Sequence, residues 1–397
     1  MKKIMVVHSI ASNGGDQLLL DALEQGLNKY CNAKVTIATC DNYNHQAFIK
    51  APVILNEFLS PAAQTPHKLS QYLEKPFIGK LLETMSFGMA QLEAGFREKY
   101  RLVKDADAVI LMPGGFIHEY YDYSELLPVL QSLKALNKNI YIVGQSLGPF
   151  EGPGSKARAM LKTISHIWVR EKHSVGYLEK LEDAEVMTKS TLTGDVALGF
   201  EPGPLPHPKR QKIFLNFRGW LGIAEDELKQ KAVSILKQLL KTQYAIEFIS
   251  TCQGVATYKD DSKLHDEIVN QANLSDSDLA RVTVSKPRYQ PDDLIKYVAE
   301  HGIYFVGMRL HMTISCLLGD VPGINVGYEP KNTGVLDTIG LGHRALDIAE
   351  EEQAISDKIT MLLETPYSEL LKENKDAIVR GKSLFSQTFD SLNKKLI

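Results

Sequence analysis

The residues best suited to chemistry stand together at Gly307-Met308-Arg309-Leu310-His311. A short β-type run, Ile303-Tyr304-Phe305-Val306, leads into them, and an apolar helix-forming stretch, Met312-Thr313-Ile314-Ser315-Cys316-Leu317-Leu318, follows. An arginine and a histidine two residues apart therefore open a helix, where aligned peptide dipoles already concentrate positive charge. Acidic residues are the usual occupants of that first turn. Such a local conflict is expected at functional sites, and an anion bound at the helix start would relieve it. Further on, Val326-Gly327-Tyr328-Glu329-Pro330-Lys331 follows another β-type run and brings Lys331 to the same sheet edge. Arg309, His311 and Lys331 would then form a cradle for phosphate or carboxylate oxygens, the arginine offering a bidentate fork that a lysine lacks.

Other strand ends carry further candidates, since open α/β sheets place ligands beyond the carboxyl ends of their strands. The first strand is followed by Asn13-Gly14-Gly15-Asp16. Two glycines admit close backbone approach, and the helix start behind them aims N–H groups outward. Asp16 reads equally as an N-cap or as a ligand contact. The spacing does not match G-x-G-x-x-G, so no dinucleotide fingerprint is present. Gly114-Gly115 reads as a glycine turn, and Gly144-Gln145-Ser146-Leu147-Gly148-Pro149 as a loop held between glycines. Arg170-Glu171 follows another strand and reads either as a surface pair or as a cation placed at a site.

The elements that must position these residues alternate. β-type runs at 4–7, 34–38, 108–112, 140–143 and 167–169 are rich in Val and Ile, as expected for strands covered on both faces. Helical patterns cover about 80–102, 124–136 and 172–181. Glu201-Pro202-Gly203-Pro204-Leu205-Pro206-His207-Pro208 has four prolines and cannot continue a helix or a central strand. Beyond it the rhythm restarts, with strands at 213–217, 246–250, 281–284, 303–306 and 323–326. Helices are expected at 225–240, 262–271, 291–300, 350–363 and from 367 onward. Alternating strands and helices imply parallel sheets with right-handed crossovers. The expected fold class is α/β, with two Rossmann-like doubly wound domains facing a central cleft. Their expected extents are 1–200, a linker at 201–210, 211–370, and a helical segment at 371–397.

Composition excludes other classes. The 397 residues exceed one ordinary core, and 44% hydrophobic with 23% charged residues is globular usage. A formal net charge of -3 gives no basic field for nucleic acid, so any anion must meet local positive charge. No apolar run approaches the roughly 18 residues of a membrane span, and the amino-terminal stretch is too short for a signal peptide. Cys31, Cys40, Cys252 and Cys316 lack zinc-ligand spacing, and no metal site is expected. Reduced thiols imply a cytoplasmic protein, with room for loose docking at the inner face of the membrane. Oligomeric state is not readable.

Taken in order, Asn13-Gly14-Gly15-Asp16, Gly114-Gly115, Gly144-Gln145-Ser146-Leu147-Gly148-Pro149, Val169-Arg170-Glu171, Gly194-Asp195-Val196-Ala197-Leu198, Arg309-Leu310-His311 and Tyr328-Glu329-Pro330-Lys331 resemble the polysaccharide pyruvyltransferase family. The resemblance spans about residues 3–345. It implies a fold similar to the glycosyltransferase B type, with pyruvate transferred as a ketal from phosphoenolpyruvate to a sugar of a polysaccharide or lipid-linked glycan. It assigns donor binding to Arg170, Arg309, Leu310 and His311. No cofactor is expected, phosphoenolpyruvate being the donor substrate. The amino-terminal domain is the expected acceptor side, and the second domain the donor side; His118, Glu119, Tyr120, Tyr121 and Tyr123 are candidate sugar contacts, a tyrosine-rich helix start that packing explains equally well. Lys331, Asn13, Gly14, Gly15, Gly114, Gly115 and Gln145 are further expected substrate contacts. His311 is the expected general acid or base because an imidazole titrates nearest neutrality, and Asp16 or Asp195 would take the proton of the attacking hydroxyl. Two other readings stand beside this one: a glycosyltransferase with a nucleotide-sugar donor in the same cleft, and a non-catalytic glycan- or anion-binding protein.

Overall fold

The computed structural model describes residues 1–9, 13–39, 53–55, 102–119, 123, 126–220, 222–252 and 261–396. The chain divides into two compact units. One comprises Met1–Ala11, Leu23–Thr193 and Ser386–Ile397, the other Ser12–Ala22 and Gly194–Phe385.

The first unit is built on a parallel sheet of eight strands: β1 (Lys2–Ser9), β2 (Ala33–Thr39), β3 (Val53–Leu55), β4 (Ala108–Leu111), β5 (Gly114–Ile117), β6 (Asn139–Leu147), β7 (His166–Val169) and β8 (Ser190–Leu192). The order is β3-β2-β1-β4-β6-β7-β8, with β5 paired to β6 off that path. Val and Ile side chains alternate across both faces of these strands, where branched side chains pack well. On one face Met5, Val109, Ile140 and Ile167 join Leu130, Leu133 and Leu161, supplied by the helices Leu126–Ala135 and Lys156–Lys162.

The second unit has six parallel strands: β9 (Lys212–Asn216), β10 (Ala245–Phe248), β11 (Val282–Val284), β12 (Gly302–Gly307), β13 (Gly323–Gly327) and β14 (Ala345–Asp347), in the order β11-β10-β9-β12-β13-β14. Strand periodicity splits its core in two. Ile213, Leu215 and Val306 pack against the helices Glu225–Leu239 and Glu352–Glu364. Phe214 and Phe305 face the other way, against Leu294, Val298, Met312 and Cys316 of the helices Pro291–His301 and Leu310–Leu318. The helix Leu310–Leu318 is almost wholly buried.

Both sheets reverse their winding once, between β1 and β4 and between β9 and β12. Strand ends on either side of such a reversal diverge and leave a crevice, where ligands of doubly wound sheets bind. The expected pair of parallel, doubly wound sheets is present. The residues 201–208 carry no helix or strand.

Several local expectations are corrected. Gly114 and Gly115 lie in β5, Gly114 pairing with Gln145, and do not form a turn. Gln145, Ser146 and Leu147 continue β6 and are not a loop. Gly144, at φ +66, marks the register shift between Val143 and Gln145, so this glycine signals a bulge within the strand. The short strands β8 and β14 and the helix Pro330–Thr338 were not legible beforehand. The helix expected over 80–102 lies outside the described residues except for Leu102, which is helical, and Tyr120, Tyr121 and Cys40 also lie outside them. Cys31, Cys252 and Cys316 are buried and form no disulfide among the described residues.

Candidate active site

β12 runs straight into Met308 and Arg309, and Arg309 is the N-cap of the helix Leu310–Leu318. Its side chain does not close the helix end. It turns to Asp261, the first residue of the helix Asp261–Gln271, donating from Nε to Oδ2 at 2.5 Å and from Nη2 to Oδ1 at 2.8 Å. Asp261 is buried. Burial alone would weaken the arginine's hold on its proton, but the Asp261 charge and hydrogen bonds outweigh it and its pKa is raised. Sequence reading missed Asp261 because an aspartate opening a helix is ordinary, and 48 residues separate it from Arg309.

His311 follows in the first turn, its Nε2 3.5 Å from Asp195 Oδ2. The other Asp195 oxygen, Oδ1, accepts from the backbone of Ala197 at 2.9 Å, capping the turn Val196–Gly199. Asp195 is therefore a buried, oriented partner for the imidazole. The opposite ring edge meets Gly15: a Cβ there would stand 2.9 Å from both Cβ and Nδ1 of His311. Only glycine allows this approach.

The segment holding Gly15 is pinned from below. Asn13 forms a β-bridge with Cys252, and the Gly14 N–H donates to Thr251 at 2.7 Å. Asn13, not Asp16, caps the helix Gly14–Cys31, its Oδ1 accepting from the Asp16 N–H at 2.9 Å. That frees the Asp16 carboxyl, whose Oδ2 accepts from Asn13 Nδ2 at 2.5 Å. Burial raises the Asp16 pKa above its ordinary value, against the opposing pull of His311, Arg309, the Asn13 hydrogen bond and Lys331. Asp16 thus lies within electrostatic reach of all three basic groups expected in the cradle.

Lys331, in the first turn of the helix Pro330–Thr338, forms an ion pair with Glu329. A buried asparagine network ties the starts of the two helices together. Asn332 Nδ2 donates to Met308 O and to Asn325 Oδ1, both at 2.9 Å, while Asn325 Nδ2 donates to Thr313 Oγ1 at 2.8 Å. Each basic group therefore already faces a carboxylate: Arg309 with Asp261, His311 with Asp195 and Lys331 with Glu329. The cradle is charge-compensated by the chain itself, where sequence reading expected a ligand to do it. Leu310 is buried behind it.

In the first unit Arg170, 1% exposed, donates from Nε to Ser146 Oγ at 2.8 Å. Glu171 caps the helix Lys172–Glu179 through the Ser174 N–H, so Arg170 and Glu171 do different jobs. Gln145 is fully buried, and neither of its amide atoms has a hydrogen-bond partner among the described residues. Gly114 borders that amide, a Cβ there standing 3.7 Å from Gln145 Oε1. His8, at the end of β1, packs on Phe116 at 4.9 Å between ring centroids, and burial lowers its pKa to about 4. Of the acceptor candidates, Glu119 accepts from Ser155 Oγ at 2.7 Å, while His118 is buried and Tyr123 packs into the core. Among the described residues no helix is long and apolar enough to cross a membrane.

The chain is similar to known proteins in fold and in sequence. Across 98% of this chain and 99% of the other, the fold is similar to UDP-GlcNAc 2-epimerase from Neisseria meningitidis, with a TM-score of 0.58 and 12% identity. It is similar to a glycosyltransferase from Rickettsia africae over 100% and 98% of the two chains, with a TM-score of 0.58 and 11% identity. At such identities the likeness is one of fold, and the fold is of the glycosyltransferase B type, with two Rossmann-like domains. In sequence the chain is 25% identical over 268 residues to amylovoran biosynthesis protein AmsJ of Erwinia amylovora, a match spanning 62% of each chain. The profile described as polysaccharide pyruvyl transferase matches residues 13–330, from the loop of Asn13 to the start of the helix that carries Lys331. The chain belongs to the polysaccharide pyruvyl transferase family.

Proposed function

We propose that the protein transfers the pyruvyl group of phosphoenolpyruvate to two hydroxyls of one sugar in a polysaccharide or lipid-linked glycan, forming a pyruvate ketal and releasing inorganic phosphate. The supporting observation is the convergence of Asp16, with its raised pKa, on His311, Arg309 and Lys331 at one helix start. A proton-transfer pair and an anion cradle then share one place.

The chemistry needs both. A proton must reach the methylene carbon of the enol, which turns C2 into an oxocarbenium-like centre. One sugar hydroxyl adds to C2 and gives up its proton. The C2–O bond to phosphate then breaks as the second hydroxyl closes the ketal, its proton leaving on the departing phosphate. His311, steadied by Asp195, delivers the first proton, and Asp16 accepts the proton of the attacking hydroxyl, its raised pKa making it a stronger base than an exposed aspartate. Arg309 and Lys331 hold the carboxylate and phosphate oxygens. Arg170 is assigned to the same donor on family resemblance. Preplaced cations and the N–H groups of the helix Leu310–Leu318 lower the barrier as charge moves onto the departing phosphate.

Thermal-shift titration tests the donor. Phosphoenolpyruvate should raise the melting temperature and Arg309→Ala should abolish that rise, because a ligand stabilises only the state it binds. Stabilisation by nucleotide sugars and none by phosphoenolpyruvate would replace this donor with a glycosyl one.

A further inference from the structure

The reversal of the second sheet lies between β9 and β12. β12 delivers Arg309 to the site; β9 delivers Phe217-Arg218-Gly219-Trp220 to the same edge, and the Met308 N–H donates to Asn216 O at 2.8 Å across the two strand ends. Trp220 and Tyr328 rings lie 4.7 Å apart between centroids, inclined at 44°. The Arg218 guanidinium sits 5.6 Å from the Trp220 ring and 5.1 Å from the Tyr328 ring, and its Nη1 donates to the Tyr328 hydroxyl at 2.9 Å. All three side chains are partly exposed. Gly222 lies at the Nε1 edge of Trp220, where a Cβ would stand 3.0 Å from Nε1. Tyr328 also contributes to the field at Arg309, so the cluster borders the anion cradle.

The rest of the segment is held firmly. The Phe217 N–H donates to His265 Nε2 at 3.0 Å, on the helix that Asp261 begins. The aromatic pair is therefore fixed to the same frame that orients Arg309.

We infer that Trp220, Tyr328 and Arg218 form a pyranose-binding shelf that holds a sugar ring of the glycan acceptor beside the donor cradle. An indole face stacks on the C–H bonds of a pyranose, Nε1–H donates to a hydroxyl, and the remaining Arg218 N–H groups reach ring substituents. A partly exposed Trp–Tyr–Arg group at the switch point of a parallel sheet is a recognition surface in both composition and place. The inference rests on the pyruvyl-transfer reading for the identity of its ligand, a glycan.

The chain has two tryptophans, and Trp168 is fully buried, so fluorescence reports chiefly on Trp220. Titration of the whole protein with galactose- and mannose-containing disaccharides should give a saturable emission change, absent in Trp220→Phe. UDP, as the nucleobase probe, should give none. In steady-state assays Trp220→Ala should raise the acceptor KM about tenfold or more with the phosphoenolpyruvate KM within about twofold. Trp220→Phe, which keeps an aromatic face, should restore most of that loss. A response to UDP without one to the disaccharides, no response to any disaccharide, or an unchanged acceptor KM in Trp220→Ala would overturn the shelf. Saturable disaccharide binding without phosphate release would overturn pyruvyl transfer and leave the shelf standing.

Discussion

Arg309 and Asp261 meet edge to edge, Nε to Oδ2 at 2.5 Å and Nη2 to Oδ1 at 2.8 Å. The pairing uses two of the five guanidinium donors and fixes the plane of the rest, so Nη1 and the second Nη2 hydrogen stay available to a ligand. Asp261→Ala should leave a buried guanidinium without its counter-charge and lower stability by about 3–5 kcal/mol, read by chemical denaturation. In the variant that still folds, the phosphoenolpyruvate KM should rise more than kcat falls. An unchanged donor KM would leave Asp261 only a structural part.

Asp16 makes a pH-dependent prediction with a definite sign. Its folded pKa is raised above the ordinary 3.8, first through burial. The stability this gives is fully present below the unfolded value and disappears as pH rises through the folded one. Above the folded pKa the ionised carboxylate therefore weakens the fold. Asp16→Asn should melt higher than the parent at pH 7–8, with the gap narrowing on acidification toward pH 4, while turnover falls. A variant that melts lower at neutral pH would show that attraction to His311, Arg309 and Lys331 outweighs desolvation.

Gly15→Ala tests the contact between helix start and imidazole. Alanine suits a helix better than glycine by about 0.5–1 kcal/mol, but here its methyl group meets His311 Cβ and Asn13 Oδ1, so the variant should also lose stability. The new methyl group would lie 2.9 Å from His311 Cβ and Nδ1 and push the ring from its place. Turnover should fall by about 10²-fold, the usual consequence of an ångström's misplacement. Near-normal kcat would mean that His311 does not need this position.

Removing the imidazole altogether, in His311→Ala, should lower kcat by about 10²–10⁴-fold, the range of one lost proton-transfer group. Asp195→Asn should lower kcat by less than loss of the imidazole does, because the amide can still lie beside the ring but carries no charge. An unchanged kcat would reduce Asp195 to a cap of the turn Val196–Gly199.

Much of this was legible in the sequence, for identifiable reasons. Continuous Val and Ile runs gave away buried parallel strands, and Arg309 with His311 stood out by opposing the helix dipole. Asp261 was invisible because only the fold brings its helix to Arg309. The sequence left Asp16 open between cap and ligand contact, because Asn13, one turn earlier, serves equally well as the cap and only hydrogen-bond geometry separates them. Gly144 looked like a loop glycine, since a bulge inside a strand has the same local sequence. Trp220 carries no motif, and Tyr328, part of the motif that ends in Lys331, becomes its neighbour only through the pairing of β9 with β12 and β12 with β13.

The most direct measurement is phosphate release from phosphoenolpyruvate, followed with and without polyprenyl-linked and soluble glycans, with the product examined by mass spectrometry. One phosphate should appear per pyruvyl group added to a sugar, only when an acceptor is present, and not in the Arg309→Ala, His311→Ala double variant. Glycan product of unchanged mass with every acceptor, or equal phosphate release by the double variant, would contradict pyruvyl transfer at this site.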